Sequence, residues 1–168
     1  GRVRISAPNR MSMETIRVFA ISKLDWIKKQ QEKLREQERE TPRDYLDRES
    51  HYVWGKRYLL TVCEEDSAPS VKLKPGQLVM RVRPMSDRQS RRAVLERWYR
   101  EQIRAAVPAI LARWEPLIGV RIERFYVQRM KTKWGSCNTT AHTIRLNTEL
   151  ASKPPELLEY IVVHELMH

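Results

Sequence analysis

The alternation of apolar and polar positions divides the chain into a strand-rich first part and a second part built around one long helix. Val3-Arg4-Ile5-Ser6-Ala7 alternates before Pro8 and predicts a short strand. Ser12 offers an N-cap for a brief helix through Ile16 and Phe19, and a second helix opens at Ser22 and runs through Trp26, Ile27 and Leu34 to Arg39. The later turns of that helix are charged, with pairs such as Lys28 and Glu32 at helical spacing, so they predict a solvated face followed by a linker at Thr41-Pro42. Tyr52-Val53-Trp54, Tyr58 to Cys63, Val71 to Leu73 and Leu78 to Val82 then predict an antiparallel meander. Its turns fall at Gly55-Lys56 and at Pro75-Gly76, where Gly76 suits a type II turn. His51, just before the first of these strands, reads as a surface or edge residue.

Ser86-Asp87 opens the longest helix, whose Val94, Leu95, Trp98, Ile103, Val107, Ile110, Leu111 and Trp114 recur at three- and four-residue steps. Pro108 is expected to kink this helix or divide it. Its polar side carries Arg88, Arg91, Arg92, Arg97, Arg100 and Arg104. After Gly119, Val120 to Val127 alternates as a half-buried strand does, a loop follows from Lys131 to Asn138, and His142 to Asn147 predicts a second strand paired with the first as a hairpin. Ser152-Lys153-Pro154-Pro155-Glu156 reads as a helix start with Ser152 at the N-cap. Leu157, Leu158, Tyr160, Ile161, Val162 and Val163 then cover nearly every side, which predicts a buried helix. The fold class is therefore α+β: an N-terminal strand and helices, an antiparallel β meander, a long arginine-rich helix, and a β hairpin against the last helix. Residues 1–86 are expected to form a β-rich lobe with a helical insertion, and residues 87–168 the region that carries the chemistry.

Composition narrows the partners. A chain of 168 residues can bury one good core. It has no apolar run of about eighteen residues, and its mean hydropathy is −0.62, so neither a membrane span nor a secretory leader is expected. Two cysteines, Cys63 and Cys137, make no disulfide framework, and a reducing cytoplasm is the simplest compartment. The net charge of +11 and pI of 10.0 fit attraction to nucleic acid, and they fit equally a surface that is basic only for solubility.

One stretch implies a reaction: His164-Glu165-Leu166-Met167-His168. Residues four apart on a helix share a face, so His164 and His168 can aim two imidazole nitrogens at one ion. The glutamate after the first histidine then stands beside a metal-activated water as general base. A catalytic zinc needs three protein ligands and an open position. No third ligand follows His168, and the chain opens in the middle of a strand pattern, so a fragment of a longer protein is expected, binding zinc weakly and inactive as it stands.

Three ordered segments carry a resemblance. Lys131-Thr132-Lys133-Trp134-Gly135-Ser136-Cys137, then Ile144-Arg145-Leu146-Asn147, then Tyr160 to His168 resemble the YgjP-like metallopeptidase family. The resemblance implies a zincin-like, SprT-like or gluzincin-type zinc protease with one Zn2+ per intact chain and a protein or peptide as substrate. It makes His164 and His168 ligands, Glu165 the catalytic base, and a downstream histidine the third ligand. It sets Trp134, Gly135, Ser136 and Cys137 at the cleft wall, with Ile144 to Asn147 as the strand along which a substrate pairs. Cys137 could itself ligate zinc as a thiolate, but ligation in the family falls downstream, so a packing or loop-ordering role is expected. His142 reads as a strand-surface residue and Trp134 as a loop anchor. Lys133 stands where the family usually has arginine, and Asn138 to Ala141 lacks its common turn glycine. The competing reading is a basic nucleic-acid-binding or scaffolding module in which the final helix is structural; it rests on the charge and on the arginines from Arg81 to Arg104.

Overall fold

In the computed structural model the most apolar strand takes the middle of the first sheet. Four strands form it: β1 (Ser50–Val53), β2 (Lys56–Glu64), β3 (Ser70–Lys74) and β4 (Gln77–Val82). Their order is β1-β2-β4-β3, with β2 and β4 parallel and the other two pairs antiparallel. The expected meander is thus corrected: β4 inserts between β2 and β3. The reason lies in composition. Leu78, Val79, Met80 and Val82 of β4 are all buried, as suits an inner strand, whereas β3 carries Lys72 and Lys74 and takes the edge, where charge discourages further pairing. Pro75-Gly76 joins β3 to β4 with Gly76 at φ 70°, as a type II turn requires. His51, expected at the surface, is fully buried; it stacks on Tyr45 at 5.8 Å and its Nε2 lies 3.4 Å from Glu49 Oε1.

The structure describes residues 44–167, together with 12–14, 17 and 21. Met13, Glu14, Arg17 and Ile21 are helical, in line with the helix expected after Ser12. The N-terminal strand, the charged second helix and His168 lie outside the described residues. Contacts divide the chain into Gly1–Pro42 and Arg43–His168.

Helix α1 (Arg88–Ile118) begins where Asp87 accepts a hydrogen bond from Ser90 N–H at 2.8 Å, and donors from Ser90 hold the Asp87 carboxyl below its usual range. Pro108 does not divide it. Arg104 and Ala112, whose carbonyls lose a partner to Pro108 and Pro116, are exposed, so water can serve those groups. At about 1.5 Å per residue the helix spans roughly 45 Å and backs both sheets with Val94, Leu95, Tyr99, Ile103, Val107 and Leu111. Three of the arginines on its polar side are paired within the fold: Arg88 with Asp44, Arg91 with Glu64, and Arg92 with Glu96.

The second sheet has β5 (Arg124–Gln128), β6 (Gly135–Asn138) and β7 (Thr143–Asn147) in the order β5-β7-β6. Here too the expected pairing is corrected: β5 runs parallel to β7, and the hairpin is β6–β7. Part of the expected loop is itself a strand, and β5 starts at Arg124 rather than Val120. A 3-10 helix (Thr148–Ser152) leads into α2 (Pro155–Leu166). Pro154 rather than Ser152 precedes α2; Ser152 closes the 3-10 turn by donating its hydroxyl to Glu149 O at 2.8 Å. The described chain is therefore α+β, with two small sheets and two long helices sharing one apolar core.

The β1–β2 turn reaches across to hold the start of α2. Trp54 N–H donates to Ala151 O at 2.8 Å and Gly55 N–H to Ser152 O at 3.4 Å. A Cβ on Gly55 would meet Pro154 Cγ at 3.1 Å, and its φ is 76°. Gly76 has a similar φ but nothing within 4 Å. In urea unfolding, Gly76→Ala is expected to cost about 1 kcal/mol and Gly55→Ala about 2–3 kcal/mol. Equal costs would mean that the turn does not bear on Pro154.

Candidate functional site

Helix α2 is covered on two sides, by sheet two and by α1, and open on a third. Leu158, Ile161, Val162, Glu165 and Leu166 are buried, whereas Glu156, Tyr160, His164 and Met167 form an exposed stripe. Full burial, expected from the apolar run, is thus corrected, and His164 faces outward. Each buried aliphatic side chain contributes roughly 1.5–3 kcal/mol, enough to hold a helix with an open face. Glu159 adds a polar tie, accepting from Trp114 Nε1 at 2.8 Å and from Arg113 at 3.2 Å. On the open face the rings of Tyr160 and His164 lie nearly parallel, with centroids 6.1 Å apart and planes 16° from each other.

Glu165 is only 7 % exposed, unusual for a carboxylate. It lies against β6 at the one residue that has no side chain. A Cβ on Gly135 would stand 2.7 Å from Glu165 Oε1, 2.9 Å from its Cγ and 2.9 Å from Ile161 Cγ2, closer than side chains tolerate. Cys137, two residues along and so on the same face of β6, is half-buried. Burial pushes its thiol pKa up, and the Glu165 charge raises it further. That environment suits a packed thiol rather than a thiolate ligand.

The segment before β6 is fixed by Asn147, 4 % exposed. Its Nδ2 donates to the carbonyls of Met130 at 3.0 Å and Lys133 at 2.9 Å, and its Oδ1 accepts from Met130 N–H at 3.4 Å and Glu149 N–H at 3.2 Å. Asn147 N–H donates to Trp134 O at 2.8 Å. Asn147 is therefore a buried bracket. Ile144 and Leu146 are fully buried, and β7 has partners on both edges, so a substrate cannot pair along Ile144 to Asn147 as expected. Among the described residues β5 and β6 are the two edges of this sheet, and β6 is the edge that borders Glu165. Because Trp134 and Asn147 pair by hydrogen bond, alternation turns the backbone groups of Gly135 and Cys137 outward, and those of Ser136 toward β7. Trp134 is partly exposed, with Lys153 Nζ 5.9 Å from its ring centre, as suits an anchor beside the helix start. The turn after β6 needs no glycine: Asn138 Oδ1 accepts from Ala141 N–H at 3.0 Å, and the exposed His142 takes a φ of 46°.

An outward imidazole with a neighbouring ring beside it is followed by a carboxylate buried in a cradle that a Cβ would fill. Among the described residues no group of three or more His, Cys, Asp or Glu side chains could hold an ion; His168 lies outside them. Motif spacing singled out His164 and Glu165 but not the Tyr160 ring beside His164 or the Asn147 bracket. The signal for Tyr160, one helical turn before His164, was readable but was taken only as apolar.

The charge of Glu165 gives this geometry a readout. In metal-free protein, Glu165→Gln removes the negative charge that helps hold Cys137 protonated, so iodoacetamide is expected to alkylate Cys137 faster at mildly alkaline pH. The midpoint moves down but stays above that of a free thiol, because burial remains. An unmoved midpoint would place Glu165 away from Cys137.

No curated protein and no solved structure matches the chain. The family model described as YgjP-like, metallopeptidase domain, matches residues 1–168. The chain belongs to the YgjP-like metallopeptidase family.

Proposed function

We propose that this metallopeptidase is zinc-dependent, with His164 and His168 as two ligands and Glu165 as general base. The observation that carries the reading is the position of Glu165: next in sequence to an outward histidine, yet buried beneath Gly135. A bound zinc supplies Lewis acidity, which acidifies water and polarises a carbonyl. The chain's own part is positional. Gly135 and Ile161 hold the Glu165 carboxylate where it can take a proton from the attacking water and hand it to the departing amine.

The open edge of β6 supports an extended peptide as substrate. Outward N–H and C=O groups at Gly135 and Cys137 can pair with it as an added strand, and glycine leaves no side chain between that edge and Glu165. The nucleic-acid reading has no comparable support, since Arg88, Arg91 and Arg92 are engaged by acids of the same fold.

Elemental analysis of the native protein purified without added metal is expected to find about one zinc per chain, lost in His164→Ala. Glu165→Gln should keep the zinc and lower kcat by about a thousandfold. A Glu165→Gln variant that cleaves peptide as well as the parent does would remove Glu165 from the role of base.

A further inference from the structure

On the open face of α2 an aromatic ring sits where packing does not require one. Tyr160 is 64 % exposed, so burial does not explain the ring. It lies one turn before His164, and the two rings are nearly parallel at 6.1 Å. Side chains on a helix lean toward its N-terminus, so the His164 imidazole lies back over the turn that carries Tyr160. There the tyrosine ring limits the rotations open to it. Metal binding must hold an exposed imidazole in one rotamer, and a ring stacked beside it favours some rotamers over others.

We propose that Tyr160 is a positioning residue for the metal site: its ring, rather than its hydroxyl, restrains the His164 imidazole in the orientation that binds the ion. This rests on His164 being a ligand, as proposed above. Glu165 is held from the other side by Gly135, so ligand and base are each fixed by a different neighbour. The glycine limits where the carboxylate can go, and the tyrosine limits how the imidazole turns. Offset ring pairs contribute about 0.5–1.5 kcal/mol beyond area burial, which converts to roughly two- to twelvefold in an equilibrium.

The test is zinc affinity of the native protein, measured by competition with a chromophoric chelator, for the parent, Tyr160→Phe and Tyr160→Ala. The visible spectrum of the cobalt(II)-loaded proteins is recorded alongside. Tyr160→Ala is expected to bind zinc about three- to tenfold more weakly and to change the cobalt bands, while the metal-free protein unfolds at the parent's temperature. Tyr160→Phe is expected to match the parent in affinity and spectrum. Equal affinity for parent and Tyr160→Ala would overturn the positioning role while leaving the zinc site intact. A Tyr160→Phe variant as weak as Tyr160→Ala would overturn it in favour of the hydroxyl. A parent that binds no zinc would overturn the metal reading itself, and the proposal with it.

Discussion

Glu165 can lie buried next to an exposed histidine because residue 135 has no side chain. A carboxylate taken out of water needs a setting that limits where it can go, and β6 supplies one by bringing its backbone against the helix. If β6 stood off by one methyl group, Glu165 would be free to swing, and the open edge of the sheet would no longer border it.

Three ties keep strand and helix in place. Asn147 gathers the backbone of Met130, Lys133, Trp134 and Glu149, so the segment entering β6 has one path. The Trp54-Gly55 turn grips Ala151 and Ser152 ahead of α2, linking the first sheet to the start of that helix. Trp114 and Arg113 hold Glu159 in the middle of that helix from the long α1. All three are polar contacts, and losing the Asn147 tie leaves buried groups unsatisfied, at roughly 1–3 kcal/mol, which is large against the stability of a small domain.

Much of this was legible in the sequence, and the misses share a cause. Local signals were read correctly: Asp87 opens α1, Gly76 closes a tight turn, and Pro155 begins the last helix. Strand order was not legible, because alternation tells which face of a strand is buried and nothing about its neighbour. The burial of β4 on both faces could have suggested an inner strand, since Leu78-Val79-Met80 is an unbroken apolar run. At the site, spacing alone singled out His164 and Glu165, which the structure sets as an exposed histidine beside a buried carboxylate. Asn147 was placed on the cleft by resemblance, but its two acceptor carbonyls lie 14 and 17 residues away along the chain, a contact no local pattern encodes. His51 was misjudged for a different reason: it lies against Tyr45 and Glu49 in a segment with positive φ at Tyr45 and Arg48, a turn that strand alternation does not reveal.

Whether the missing side chain at residue 135 positions Glu165 as the proposed base is read from steady-state peptide cleavage and zinc content of Gly135→Ala beside the parent. Displacing a catalytic group by about 1 Å can cost around a hundredfold in rate. Gly135→Ala is expected to fold and keep its zinc, with KM little changed and kcat down by about ten- to a hundredfold. A Gly135→Ala variant with the parent's kcat would show that Glu165 does not depend on that approach, and the account of the site would fail.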